Sequence, residues 1–177
     1  NWSITRDANG YIYVANNIGL LEFDGVDWEF HPSPNGTVLR SVAVDKENRI
    51  FTSGYREIGY WEHDRYGNLK YFSLNALAEP LFSQNEEFWN TVITDDKVYF
   101  HSFSSIFVYD YTSFNVIRPG AMIGSVNNVD GDIYVHISQL GLFTLEDTIL
   151  TPFITDAEVS TNLVYFVNQL RDSSLLI

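Results

Sequence analysis

The residues with the most chemical potential in this chain are four histidines and a recurring series of aspartates. His31, His63, His101 and His136 are 32, 38 and 35 residues apart, near the period of a repeat. His101 and His136 fall at the end of equivalent strands in successive copies of a repeat, where two imidazoles could converge on a metal ion. The matching positions of the earlier copies hold Ala15 and Thr52 or Ser53. These supply no third ligand, so the histidines are read as satisfied polar groups and no metal site is assigned. Asp7, Asp45, Asp95 or Asp96, Asp130 and Asp172 recur in the same way. Each stands in a turn, where a carboxylate accepts backbone N–H groups that the turn leaves free. Gly19, Gly59 and Gly141 serve tight loops and open the strands that follow, and no helix comes after them to make a phosphate cradle. No nucleophile–base pair or carboxylate pair recurs, so no catalytic residue is assigned and no cofactor is called for.

The elements that carry these residues repeat. Asp7-Ala8-Asn9-Gly10 leads into Tyr11-Ile12-Tyr13-Val14, then Gly19-Leu20-Leu21-Glu22-Phe23-Asp24. The pattern returns from Asp45, Asp95 and Asp130, and a fifth copy starts at Asp172. A period near 40 residues with several short strands per unit is the signature of a β-propeller, one blade per repeat. The fold class expected is therefore all-β, a propeller of four-stranded antiparallel blades near 2–31, 39–72, 90–117 and 125–153. A fifth begins at 160–177. Four and a half blades read most economically as part of a larger ring of about seven. The terminal blade faces should then be covered by the rest of the parent propeller or by a second copy of the chain. Residues 75–86 break the regularity and should form a helical turn or loop.

Propeller geometry gathers the d–a and b–c loops of every blade around one mouth of the central channel. Counting back from each turn Asp places Trp2, Arg40, Asn90 and Ser125 at equivalent starts of the innermost strand, with Trp89 beside Asn90. The b–c loops add Asn16 and Asn17, Tyr55-Arg56-Glu57, His101 and Gln139. Aromatic planes mixed with amide, guanidinium and carboxylate groups suit a polyhydroxylated ligand such as an oligosaccharide. Composition excludes other partners. A net charge of −13 with ten basic residues argues against nucleic acid, and no apolar run is long enough to span a membrane. With no cysteine, disulfides and thiolate metal sites are ruled out.

The repeats resemble the two-component-regulator propellers, the periplasmic sensor region of certain Bacteroidetes regulators. Asn1-Trp2-Ser3-Ile4, Gly19-Leu20-Leu21-Glu22-Phe23-Asp24-Gly25 and Arg40-Ser41-Val42-Ala43-Val44-Asp45 carry the likeness. Glu57-Ile58-Gly59-Tyr60-Trp61 and Ser102–Tyr109 extend it over nearly the whole chain. Tyr13, Phe51, Tyr99 and Tyr134 replace the consensus Trp of the family's Gly-x-x-Trp strand, which fits its triple-tyrosine branch. The resemblance implies a triple-tyrosine domain, a membrane span and either a histidine kinase or a helix-turn-helix output in the parent protein. The expected function is non-enzymatic ligand sensing. The alternatives are a protein-interaction or sugar-binding propeller without a signalling role, and a propeller glycosidase or lactonase.

Overall fold

The structure, a computed structural model, describes residues 1–171 and 174–177, so Asp172 lies outside the described residues. It is an all-β propeller segment of four antiparallel four-stranded sheets. The first comprises β1 (Ser3–Arg6), β2 (Ile12–Asn16), β3 (Gly19–Phe23) and β4 (Trp28–Pro32), hydrogen-bonded in chain order. The second comprises β5 (Leu39–Val44), β6 (Ile50–Gly54), β7 (Glu57–His63) and β8 (Leu69–Ser73). The third holds β9 (Phe88–Ile93), β10 (Val98–Ser102), β11 (Ile106–Tyr109) and β12 (Phe114–Ile117). The fourth holds β13 (Ile123–Val129), β14 (Asp132–Ile137), β15 (Gly141–Glu146) and β16 (Ile149–Ile154). The innermost strands β1, β5, β9 and β13 lie side by side along the channel, and the sheets do not close into a ring.

The short turns follow from side-chain capping. Asp7 Oδ1 accepts the Asn9 and Tyr11 amides at 3.0 and 2.8 Å, and Asp45 Oδ1 does the same for Glu47 and Arg49. The third and fourth blades depart from this rule. There Thr94 Oγ1 accepts the Lys97 amide and Asn128 Oδ1 accepts that of Gly131, in place of the expected Asp95 or Asp96 and Asp130. Asp130 instead supplies a left-handed residue (φ 52°) ahead of Gly131 (φ 98°), the pair of positive φ values that a two-residue hairpin turn needs. A second set of caps holds the outer c–d turns. Asp24, Asp64 and Asp110 each take two backbone amides.

Hydrophobic packing runs between blades, one cluster per interface. Tyr13, Ala15 and Leu20 meet Leu39, Val42, Ile50 and Trp61 between the first two. Phe51 and Ile58 meet Phe88, Phe100 and Phe107 across the next interface. An aliphatic set around Ile106, Val126, Val135 and Ile137 fills the third. Every residue of β6 and β10 is buried, because a strand packed on both faces has no solvent side. The 75–86 insert forms α1 (Asn75–Ala78) and a 3-10 turn at Glu79–Leu81. Leu74, Ala78 and Phe82 cover the second interface from outside. After the fourth blade come α2 (Ala157–Thr161) and the paired β17 (Asn168–Gln169) and β18 (Leu175–Leu176). Among the described residues no helix is long and apolar enough to cross a membrane.

Candidate functional site

Strand register defines the channel mouth more exactly than counting does. Ala15, Ser53, His101 and His136 are equivalent on the second strand of each blade, opposite Ser3, Ser41, Asn90 and Ser125 on the first. In three blades the first strand then slips by one residue. The shift falls between Leu39 and Ser41, between Phe88 and Asn90, and between Ile123 and Ser125. The extra residues are Arg40, Trp89 and Gly124. A β-bulge re-aims the side chain of its extra residue, so one repeated irregularity projects Arg40 and Trp89 at the mouth. Trp89 is thus the counterpart of Trp2 and Arg40. Asn90, expected in that place, sits one step deeper.

These residues form a continuous stack across three blades. The Arg40 guanidinium lies 4.1 Å from the Trp2 ring centre and 4.4 Å from that of Trp89. Trp2 and Trp89 meet edge to face at 6.2 Å, and Phe103 stacks on Trp89 at 5.3 Å. Glu87 holds the cation in place, accepting from Arg40 Nε and lying 2.9 Å from its Nη2. Trp2 Nε1 donates to Asn17 Oδ1 at 2.6 Å, and Asn16 Nδ2 donates to Asn1 Oδ1 at 2.6 Å. Trp2 and Phe103 are each 50 % exposed and Tyr55 is 45 % exposed. Tyr55 joins the set through a backbone bridge to Glu87. A pocket of about 140 Å³ opens beside Trp89 and Phe103, lined also by Glu86, Glu87 and Ser102. The arrangement can present apolar ring faces with charged and amide hydrogen-bonding groups around them, in a polar rim.

The other residues expected at the mouth have structural duties. Glu57 is 1 % exposed. Its carboxylate accepts from Tyr71 at 2.7 Å, Ser73 at 2.9 Å, Asn75 at 3.1 Å and also Asn35, so nothing is left for a ligand. Burial, then the Glu57 charge, pushes the Tyr71 hydroxyl far above its usual range. Arg56 ties down the insert, donating to the carbonyls of Ser83 and Gln84 and to Glu79. Asn90 caps its neighbour Thr91 and reaches the Val126 carbonyl at 3.2 Å. Gln139 is an exposed left-handed loop residue whose amide meets the Ser160 carbonyl. Ser125 is buried and accepts from Asn127.

His101 and His136 turn to different backbone carbonyls. His101 Nε2 faces the Ile123 carbonyl at 3.3 Å and His136 Nε2 the Val159 carbonyl at 3.1 Å. Among the described residues neither buried Nδ1 atom has a hydrogen-bond partner. Burial pulls the His101 imidazole down to about 4, against the pull of its carbonyl contact. Gly124 explains the packing at His136. A side chain there would meet His136 Nδ1 at 2.4 Å, so the bulge of the fourth blade carries no mouth residue. Phe103 and Glu87 were missing from the expected site. The Glu86-Glu87-Phe88-Trp89 run and the loop position of Phe103 were the available signals.

No family model and no curated protein sequence matches the chain. Solved structures share its fold. Virginiamycin B lyase from Staphylococcus aureus superposes with a TM-score of 0.73 at 12 % identity, covering 98 % of this chain and 61 % of the lyase. A structure described as the extracellular domain of a hybrid two component system from B. thetaiotaomicron gives 0.65 at 15 % identity, over 94 % of this chain and 23 % of that one. The WD40 β-propeller domain of Doa1 gives 0.68 at 12 %, over 95 % and 56 %. The chain therefore spans less than two thirds of each of these structures. At such identities the likeness establishes the β-propeller fold, which a lyase, an extracellular domain and a WD40 domain all use.

Proposed function

We propose that this chain is the ligand-sensing part of a periplasmic propeller in a membrane-bound regulator of transcription, and that its channel mouth takes a carbohydrate without turning it over. The observation that carries the reading is the Phe103–Trp89–Arg40–Trp2 stack, built by one bulge repeated in neighbouring blades. Sugar rings present C–H faces that stack on indole, while Arg40, Glu87, Asn16 and Asn17 supply donors and acceptors for hydroxyls. The signalling part is supported by the resemblance of the repeats and by the fold shared with the extracellular domain of a hybrid two component system.

The terminal faces bear on partners. Ile4 is 70 % exposed on the first blade, and Leu163, Tyr165 and Phe166 are 49, 77 and 54 % exposed beyond the fourth. Apolar faces of this kind are covered by a further blade, from the same protein or from a second copy.

The test is an oligosaccharide array probed with the purified chain, followed by calorimetric titration of the best binder. Trp89→Ala should weaken binding at least tenfold, since stacking on one aromatic contributes on the order of 1 kcal/mol beyond the area it covers. Binding that Trp89→Ala retains, or turnover of a glycoside or lactone, would contradict the reading.

A further inference from the structure

Away from the channel, on the outer side of the first blade, the structure gathers a set of groups that the mouth does not use. Glu22 on β3 and Glu29 on β4 are direct cross-strand partners. Like charges placed opposite each other on adjacent strands destabilise a sheet unless other groups offset them. His31, two residues along β4 from Glu29, points to the same face. Its Nε2 lies 2.8 Å from Glu22 Oε2. One imidazole nitrogen and one oxygen from each carboxylate all lie within 4.8 Å of one another. His63, from β7 of the second blade, completes the group by bonding the other oxygen of Glu22 at 2.7 Å.

The four differ in exposure in a useful way. Glu22 is 6 % exposed and His31 9 %, so both are held by the fold. Glu29 is exposed, with a carboxylate oxygen already beside the other two donors. A cavity of about 420 Å³ opens on Glu22, Glu29 and His63, and Asp7, Asp24 and Asp27 also line it. Its negative lining favours a cation and gives it a way in.

We propose that Glu22, Glu29 and His31 bind a first-row divalent cation such as Zn²⁺, with His63 positioning Glu22 and a fourth coordination place open to the cavity. One imidazole with two carboxylates is a donor set for this class of ion, and a hydrogen bond to a ligating carboxylate is the usual outer support. Coordination replaces the hydrogen bond between His31 Nε2 and Glu22 Oε2: the ring ligates through Nε2 as a neutral imidazole with its one proton on Nδ1, and any second ring proton leaves to solvent. The bound ion neutralises the Glu22–Glu29 opposition and clamps strands β3 and β4. Through His63 it also ties the first blade to the second.

The experiment is calorimetric titration of the chelator-treated full chain with ZnCl2, paired with thermal melts. Wild type should take up one equivalent and melt at a higher temperature with the metal than without it. Glu29→Gln, an exposed change that leaves the fold intact, and His31→Gln should each weaken binding at least tenfold. His63→Gln should weaken it by about 10- to 100-fold. The proposal is overturned if wild type binds no more tightly than about 1 mM, or if either Glu29→Gln or His31→Gln keeps the wild-type affinity.

Discussion

His101 shows what burial does to a titratable residue of this chain. Its imidazole is 3 % exposed, and burial lowers it from 6.5 to about 4. The unfolded chain therefore binds one more proton than the folded chain between those two values. That contribution to stability is complete above pH 6.5 and is lost as the pH falls toward 4, on the order of 3 kcal/mol in all. Melting temperature should be flat with respect to this group above pH 6.5 and decline below it. His101→Gln should flatten the decline by about one proton's worth of slope, read from urea midpoints across the same range. An unchanged slope would show that the imidazole protonates freely in the fold. Glu22 works in a lower window. Burial raises its carboxyl, but hydrogen bonds from His31 and then His63 outweigh that and leave it below the ordinary glutamate value. Its share of stability is present above about pH 4 and lost as the pH drops through its lowered folded value.

At the scale of strands and turns, glycine placement decides how closely a blade's outer strands approach. Gly19 and Gly141 begin their strands, as expected, and a side chain at either would strike the carbonyl of His31 or Ile154 at 2.1 or 2.3 Å. Gly59 is different. It pairs with Thr52 inside β7, where an added carbon would lie 2.3 Å from the Tyr71 hydroxyl and 2.5 Å from the Phe72 carbonyl. Gly59→Ala should cost about 1–3 kcal/mol through strain between β7 and β8, measured as a lower urea midpoint with an unchanged m-value. A neutral result would mean that β8 can shift outward freely. The strands themselves were legible, because Asp turns and apolar runs such as Ile106-Phe107-Val108-Tyr109 recur with the blade period. The mouth was legible only in part. A bulge leaves no mark in residue type, so counting reached Asn90 and Ser125 where register gives Trp89 and Gly124. Glu57 looked like a ligand group because its four partners, Asn35, Tyr71, Ser73 and Asn75, are scattered along the chain and only the fold brings them to it. Pairing between β3 and β4 likewise concealed the Glu22, Glu29 and His31 group.

For the molecule as a whole, blade packing is local and each interface has its own core, so the segment holds together without closing a ring. Its exposed terminal faces should show in solution. Sedimentation at rising concentration is expected to reveal self-association through Ile4 or the Leu163–Phe166 segment. A monomer at all concentrations, with both terminal blades protected from proteolysis, would contradict that covering role. The central claim concerns the mouth, and hydrogen–deuterium exchange of the chain with and without its best-binding oligosaccharide tests it most directly. Ligand should slow exchange at Arg40, at Glu87–Trp89 and in the Ser102–Ser104 loop, and leave the outer turns at Asp24, Asp64 and Asp110 unchanged. Protection at those outer turns, or none at the mouth under saturating ligand, would contradict the assignment.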